Sequence, residues 1–183
     1  MRIIGGTHRG RKIKYPGFRD VRPTKDRIRE AVFDIISERV AGARVLDLFA
    51  GSGAYGLESL SRGSGDTVFV DNDIRCVKII NDNLALIGAA EQARVVAKDV
   101  FKATELLGKN KKDFDLIFSD PPFNRDMAKK TLITVNQYDI LSPSGLLVLE
   151  HTDREFTPAA EGNIFLFKQK TYKHILISFY RKR

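Results

Sequence analysis

The amino-acid sequence predicts an α/β protein built on a doubly wound, mostly parallel sheet. Three observations carry this. Short apolar runs alternate with helical periodicity from Arg44 onward, a glycine-rich turn closes the first run, and Asp120-Pro121-Pro122-Phe123 closes the fourth. The first strand is Val45–Phe49, and Thr67–Asp71, Arg94–Ala97, Phe114–Ser119 and Gly145–Leu149 follow it. Ile164–Phe167 and His174–Tyr180 are expected to close the sheet as a hairpin. Helices are expected over 55–62, 73–87, 100–107 and 126–139, with Asp73 and Asp126 as N-caps and Gly63, Gly88 and Gly108 at C-terminal ends.

The front of the chain reads differently. Arg2–Ile4 and Arg11–Tyr15 bracket a glycine-rich turn, predicting a hairpin. A helix follows with Thr24 as N-cap, an apolar stripe of Ile28, Ala31, Val32, Ile35 and Ile36, and Lys25, Arg27 and Arg29 as displayed cations. Residues 1–40 are therefore expected to be a basic arm packed on a core of residues 41–183.

Charge separates the same regions. Residues 1–29 hold ten Lys or Arg against Asp20 and Asp26, which equals the formal net charge of +8 for the whole chain. The stretch from Ile164 adds Lys168, Lys170, Lys173, Arg181, Lys182 and Arg183 with no acid. Basic ends around an acidic body suit a polyanion such as nucleic acid; the plainer alternative is a solvated basic surface. No run has the apolar length of a membrane span or a signal peptide, and neither a membrane partner nor a metal is expected. Cys76 is alone and falls on an apolar helix stripe, and no Cys/His cluster has zinc spacing, which fits a reducing cytoplasm. His8 lies in the basic hairpin, where phosphate contact and plain solvation are equal alternatives, while His151 and His174 lack partners at nucleophile or metal spacing and read as structural.

Two constellations carry chemistry. Gly51-Ser52-Gly53-Ala54-Tyr55-Gly56 is a GxGxxG between strand and helix, and Asp71 ends the next strand about twenty residues on, where a ribose-binding acid belongs. Several cofactor classes use this loop. Asp47 tilts the choice, because a carboxylate before the loop repels a pyrophosphate but suits the cationic amine of a methionine moiety. The second is Asp120-Pro121-Pro122-Phe123 at a strand's carboxyl end, where open α/β sheets bind ligands. An exocyclic base amine is a poor nucleophile until two acceptors take its hydrogens and orient its lone pair. Asp120 and the Pro121 carbonyl are such acceptors, the prolines stiffen the turn, and Phe123 offers a stacking face. The alternative is a proline-terminated strand beside a buried Phe.

From Arg2-Ile3-Ile4-Gly5-Gly6 through Arg22-Pro23-Thr24 and the Arg27–Phe33 helix, and on through Asp47–Gly53, Val70-Asp71 and Asp120–Phe123, the chain resembles the bacterial 16S rRNA (guanine(966)-N2)-methyltransferases. The resemblance implies a class I methyltransferase fold, with a seven-stranded, mostly parallel sheet and a basic hairpin-plus-helix extension. It implies S-adenosylmethionine as cofactor, contacted by Asp47, Ala50, Gly51 and Gly53, with Asp71 on the ribose and Asp99 or Val100 facing the adenine. It places catalysis at Asp120, Pro121, Pro122 and Phe123. RNA contacts are expected at Arg9, Arg11, Lys12, Arg22 and Thr24, made by a monomer acting on 16S rRNA or the assembling small subunit. The chain departs from such folds in having Asp71 where Glu is common, and no glycine within Lys170–His174. Two alternatives stay open: an adenine-N6 methyltransferase of DNA or RNA, and a non-catalytic rRNA-binding protein on the same scaffold.

Overall fold

The computed structural model describes residues 1–17, 26–123 and 126–183. Arg22 and Thr24 lie outside them. After a hairpin held by Arg2 and Lys12 come helix α1 (Asp26–Ile36), β1 (Arg44–Leu48), α2 (Ala54–Ser61), β2 (Asp66–Asp71) and α3 (Ile74–Ile87). Then follow β3 (Ala93–Ala97), α4 (Val100–Lys109), β4 (Phe114–Ser119), α5 (Met127–Gln137) and β5 (Leu141–Thr152). The chain closes with β6 (Ala160–Glu161), β7 (Ile164–Tyr172) and β8 (Ile175–Lys182).

The strands form one sheet in the order β3-β2-β1-β4-β5-β8-β7-β6. The first five are parallel, and β8, β7 and β6 are antiparallel. The α/β expectation is met, with eight strands rather than seven. The additional strand is β6, two residues paired with Phe165 and Ile164 of β7. A segment that short carries no periodicity to read. β5 also runs well beyond Gly145–Leu149, because Pro143 and Ser144 form an irregularity at its pairing with β4 rather than a break before it.

Both sheet faces are covered, as near-continuous apolar strands require. Leu46, Leu48, Ile117, Leu147 and Leu149 pack under α4 and α5. On the opposite face Val45, Leu116, Phe118, Val148 and Phe179 meet Ile28, Val32, Phe33 and Ile36 of α1. A third cluster joins Ile3 and Ile13 of the hairpin to Leu57, Phe69, Ile80 and Leu84. Cys76 is buried.

Three local expectations are corrected. Arg29 is not displayed: it is 0% exposed, donates to the Arg2 carbonyl and to Asp26, and pairs with the equally buried Glu58. Asp126 precedes α5 with φ 52° and makes no side-chain cap. Gly108 lies inside α4, where a Cβ would press on Tyr138, so it serves close helix packing rather than termination. Asp73 does cap α3, accepting from the Arg75 amide at 2.9 Å.

Candidate active site

The carboxyl ends of the parallel strands carry the site, and β1 and β4 lie side by side at its centre. The loop after β1 turns through Phe49 (φ 56°) and Gly51 (φ 57°) into α2. Asp47 is buried beneath it, and its Oδ2 accepts from the Gly56 amide at 2.9 Å. Gly56 is required by close packing, since a Cβ there would overlap the Phe69 ring. Asp71 at the end of β2 fastens the loop from the other side: Oδ2 accepts from Gly51 N at 2.9 Å and Oδ1 from Asp73 N at 2.8 Å. The main chain adds Ala50 N to Val70 O at 3.0 Å and Gly53 N to Ala50 O at 2.7 Å.

Asp120 follows β4 directly, so it emerges one strand from Asp47 and close enough for their charges to interact. Burial pushes the Asp47 carboxyl well above the usual carboxylate range; the Gly56 N–H opposes this, and Asp120 and Asp71 add to it. Of the rest of the tetrapeptide, Pro121 is buried, Pro122 exposed and Phe123 half-buried. Ser119, just before it, has a buried hydroxyl without a hydrogen-bond partner.

Asp47, Ala50, Gly51, Gly53, Asp71 and Asp120 are thus brought together at the carboxyl ends of three adjacent strands. Asp99 and Val100 lie farther along the edge, after β3, although the Lys98 amide ties that loop to the Asp71 carbonyl at 3.1 Å. Asp99 caps α4, accepting from the amides of Phe101 and Lys102 at 3.1 Å each. Val100 commits its side chain to the core. Arg9, Arg11 and Lys12 are exposed on the hairpin, though Arg11 also reaches the Leu86 carbonyl at the end of α3. In the tail, Arg181 stacks over Phe165 and Phe167, Arg183 over Phe165, and Lys182 pairs with Asp139, leaving Lys168, Lys170 and Lys173 exposed. His151 is buried, with Nε2 2.8 Å from Ser178 Oγ.

Four further residues beside the candidate site escape a reading of the sequence. Asn83 joins the hairpin to the glycine loop: it accepts from Lys14 N at 2.8 Å and donates to Lys14 O and Ser52 O at 2.9 and 3.0 Å. Glu58 accepts from Ile4 N and Gly5 N at 2.8 Å each. Neither role has a local signature: the hairpin and loop groups they hold are 31 to 69 residues away, although Glu58 also pairs with Arg62 one turn on. Glu150 and Tyr55 form the third and fourth, with Tyr55 Oη 3.4 Å from Glu150 Oε2. Glu150 does carry a signal, because it follows an apolar run in β5 toward the same sheet edge as Asp120.

Asp47 and Asp71, buried carboxyls on either side of the glycine loop, are groups that could hold a cationic ligand. Asp120 adds a third carboxyl, a Cβ on Gly51 would meet only the Phe49 carbonyl at 3.9 Å, and the Ser119 hydroxyl is buried without a hydrogen-bond partner. Among the described residues no group of His, Cys, Asp and Glu could hold a metal ion, and no helix is long and apolar enough to cross a membrane.

Comparison with known proteins gives the family and the fold. The family model described as Conserved hypothetical protein 95 matches residues 1–181. YlbH of Bacillus subtilis, provisionally named an rRNA methyltransferase, is 34% identical, with both chains covered completely. Ribosomal RNA small subunit methyltransferase D of Escherichia coli K12 is 32% identical over all of this chain and 90% of its own. A solved Escherichia coli structure, yhhF, provisionally assigned as a methyltransferase, superimposes with a TM-score of 0.86 at 33% identity, covering 100% of this chain and 98% of the other. A more distant structure solved with SAH, 17% identical with a TM-score of 0.65 over 81% of this chain and 48% of its own, shares the fold. The chain therefore belongs to the Conserved hypothetical protein 95 family, alongside the ribosomal RNA small subunit methyltransferase D proteins.

Proposed function

We propose that this protein methylates the N2 amine of a guanine in 16S rRNA, of the guanine 966 type, using S-adenosylmethionine. One observation carries the reading: the Asp47–Asp71 glycine loop and Asp120-Pro121-Pro122-Phe123 converge at the ends of adjacent strands. Family membership supports ribosomal RNA over DNA.

S-adenosylmethionine supplies an electrophilic methyl group on a cationic sulfur. Asp47 would hold the cationic amine of its methionine part, the Ala50–Gly53 loop would approach its backbone, and Asp71, which also fastens that loop, would meet the ribose hydroxyls. Since Asp99 is engaged as a cap and the Val100 side chain is in the core, the main chain there is the part that faces the adenine. Asp120 and the Pro121 carbonyl accept the two amine hydrogens and direct the nitrogen lone pair at the methyl group. Asp120 then takes the proton as positive charge develops on nitrogen, and Phe123 stacks on the base. Pro122 holds the turn.

Residues 1–40 supply phosphate contacts through Arg9, Arg11 and Lys12, with Arg22 and Thr24 assigned to the same arm, while residues 41–183 perform transfer. The protein acts as a cytoplasmic monomer on rRNA or the assembling subunit. The test is transfer of labelled methyl to naked 16S rRNA, small subunits and DNA, followed by nucleoside analysis. N2-methylguanosine in rRNA is expected; N6-methyladenosine, or transfer to DNA alone, overturns the substrate assignment. No transfer to any of them favours a binding protein. Replacing Arg9, Arg11 and Lys12 by Ala should flatten the salt dependence of RNA binding, the logarithmic slope falling by about one for each phosphate no longer neutralised.

A further inference from the structure

Glu150 is a buried acid at the catalytic edge to which the reaction above gives no task. It closes the apolar run of β5, and it is 4% exposed. Ser119 pairs with Leu149 in the parallel β4–β5 register, so Asp120 and Glu150 are the next positions on neighbouring strands. Strand alternation puts both on the face of Phe118 and Val148, which α1 covers. There the Tyr55 ring stacks on Phe118, with centroids 4.9 Å apart and planes within 11°, and delivers its hydroxyl to Glu150 Oε2.

The groups facing this pair come from several elements. Asp120 (β4) raises the proton affinity of Glu150 and of Tyr55, while Asp47 (β1) and Arg29 (α1) act on Tyr55 with opposite signs. β8 contributes Ile177, paired with Glu150, and His151 belongs to the opposite face with Ser178. Burial is the largest influence on Glu150, ahead of Asp120, and both hold it well above the usual range. Two neighbouring carboxyls do not both ionise readily, and a proton shared between them resides on the less solvated one.

We propose that Glu150 is a positioning residue: it stays a neutral acid, accepts from Tyr55 and donates its proton as a hydrogen bond to Asp120, keeping Asp120 ionised and aimed at the target amine. This rests on the assignment of Asp120 as the amine acceptor. It places no negative charge on Glu150 during turnover, and the amine proton passes to Asp120, not to Glu150.

The test combines variants, a pH profile and a titration independent of activity. Glu150→Ala should lower kcat by roughly ten- to a hundredfold, the loss of one hydrogen bond to a charged group, with little change in the KM for cofactor. Glu150→Gln, still a neutral donor, should restore most of that loss and abolish the alkaline limb of the kcat profile. Tyr55→Phe should move that limb to higher pH, since the phenol favours the ionised form. In the cofactor-free protein, the carbon-13 resonance of the Glu150 carboxyl should titrate above the ordinary glutamate range, and Asp120→Asn should lower its midpoint. A Gln variant as slow as the Ala variant, an unaltered kcat in Glu150→Ala, or a midpoint unmoved by Asp120→Asn would overturn the proposal. If Asp120→Asn turns over normally while the midpoint still moves, the coupling stands and the assignment of Asp120 as amine acceptor fails.

Discussion

The two ends of β1 and β4 carry the same residue types in opposite electrostatic conditions. At the starting edge, Arg44 donates to Asp115 at 2.9, 3.1 and 3.0 Å and forks onto Asp113, all three side chains being partly exposed to water. The Arg44 guanidinium holds the Asp115 carboxyl down at about 2. At the finishing edge, Asp47 and Glu150 are buried beside Asp120 and are pushed upward. One edge neutralises its acids with a cation from the chain. The other gathers acids around amide and phenol donors, the arrangement that suits a cationic ligand and an amine hydrogen. With the proposed function, stability and catalysis are segregated along the strands, the usual division of an open α/β sheet.

Loss of the acid at the finishing edge should have the largest consequence. Asp120→Ala is expected to reduce methyl transfer by roughly a hundredfold or more while cofactor still binds, measured by single-turnover assay and calorimetry. Unchanged turnover would remove Asp120 from the mechanism. Next comes Asp47→Asn, which keeps an acceptor for the Gly56 amide but removes the acid proton that a bound cation would displace. Cofactor affinity should weaken by roughly tenfold or more; equal affinity would end the claim that Asp47 meets a cation.

The edges should also respond to pH with opposite signs. Asp47 and Glu150 hold protons when folded that the unfolded chain releases near pH 4, so their contribution to stability declines as pH rises above that value toward their folded pKa values. Asp115 contributes stability that is present above about pH 4 and lost as pH falls toward 2. Urea unfolding across pH should show Asp47→Asn flattening the alkaline decline alone. The smallest effect belongs to Arg44→Ala. Exposed ion pairs are weak, so about 1 kcal/mol or less should be lost, the acid-side dependence should shrink, and methyl transfer should not change. A fall in kcat there would break the separation of the two edges.

Much of this is legible along the chain because it is local. Strand and helix alternation, the Asp73 cap, the GxGxxG turn and the proline-stiffened strand end are written in neighbouring residues, and α/β chain order dictates which strand ends face the cleft. Asp47, Asp71 and Asp120 follow from that rule, and Glu150 is within its reach. Arg29 reads as a displayed cation because sequence shows a charge but not the buried carboxylate that receives it: Glu58 is 29 residues away and also collects the amides of Ile4 and Gly5. The two-residue β6 and the long β5 are beyond what periodicity can show, since strand pairing is settled by the partner strand. What the sequence determined by itself was the order of the elements and the chemistry at their ends. The tertiary structure decided the protonation of those ends, because only packing removes water from Asp47 and Glu150, sets Asp120 beside both, and lays Tyr55 across Phe118 to reach one of them.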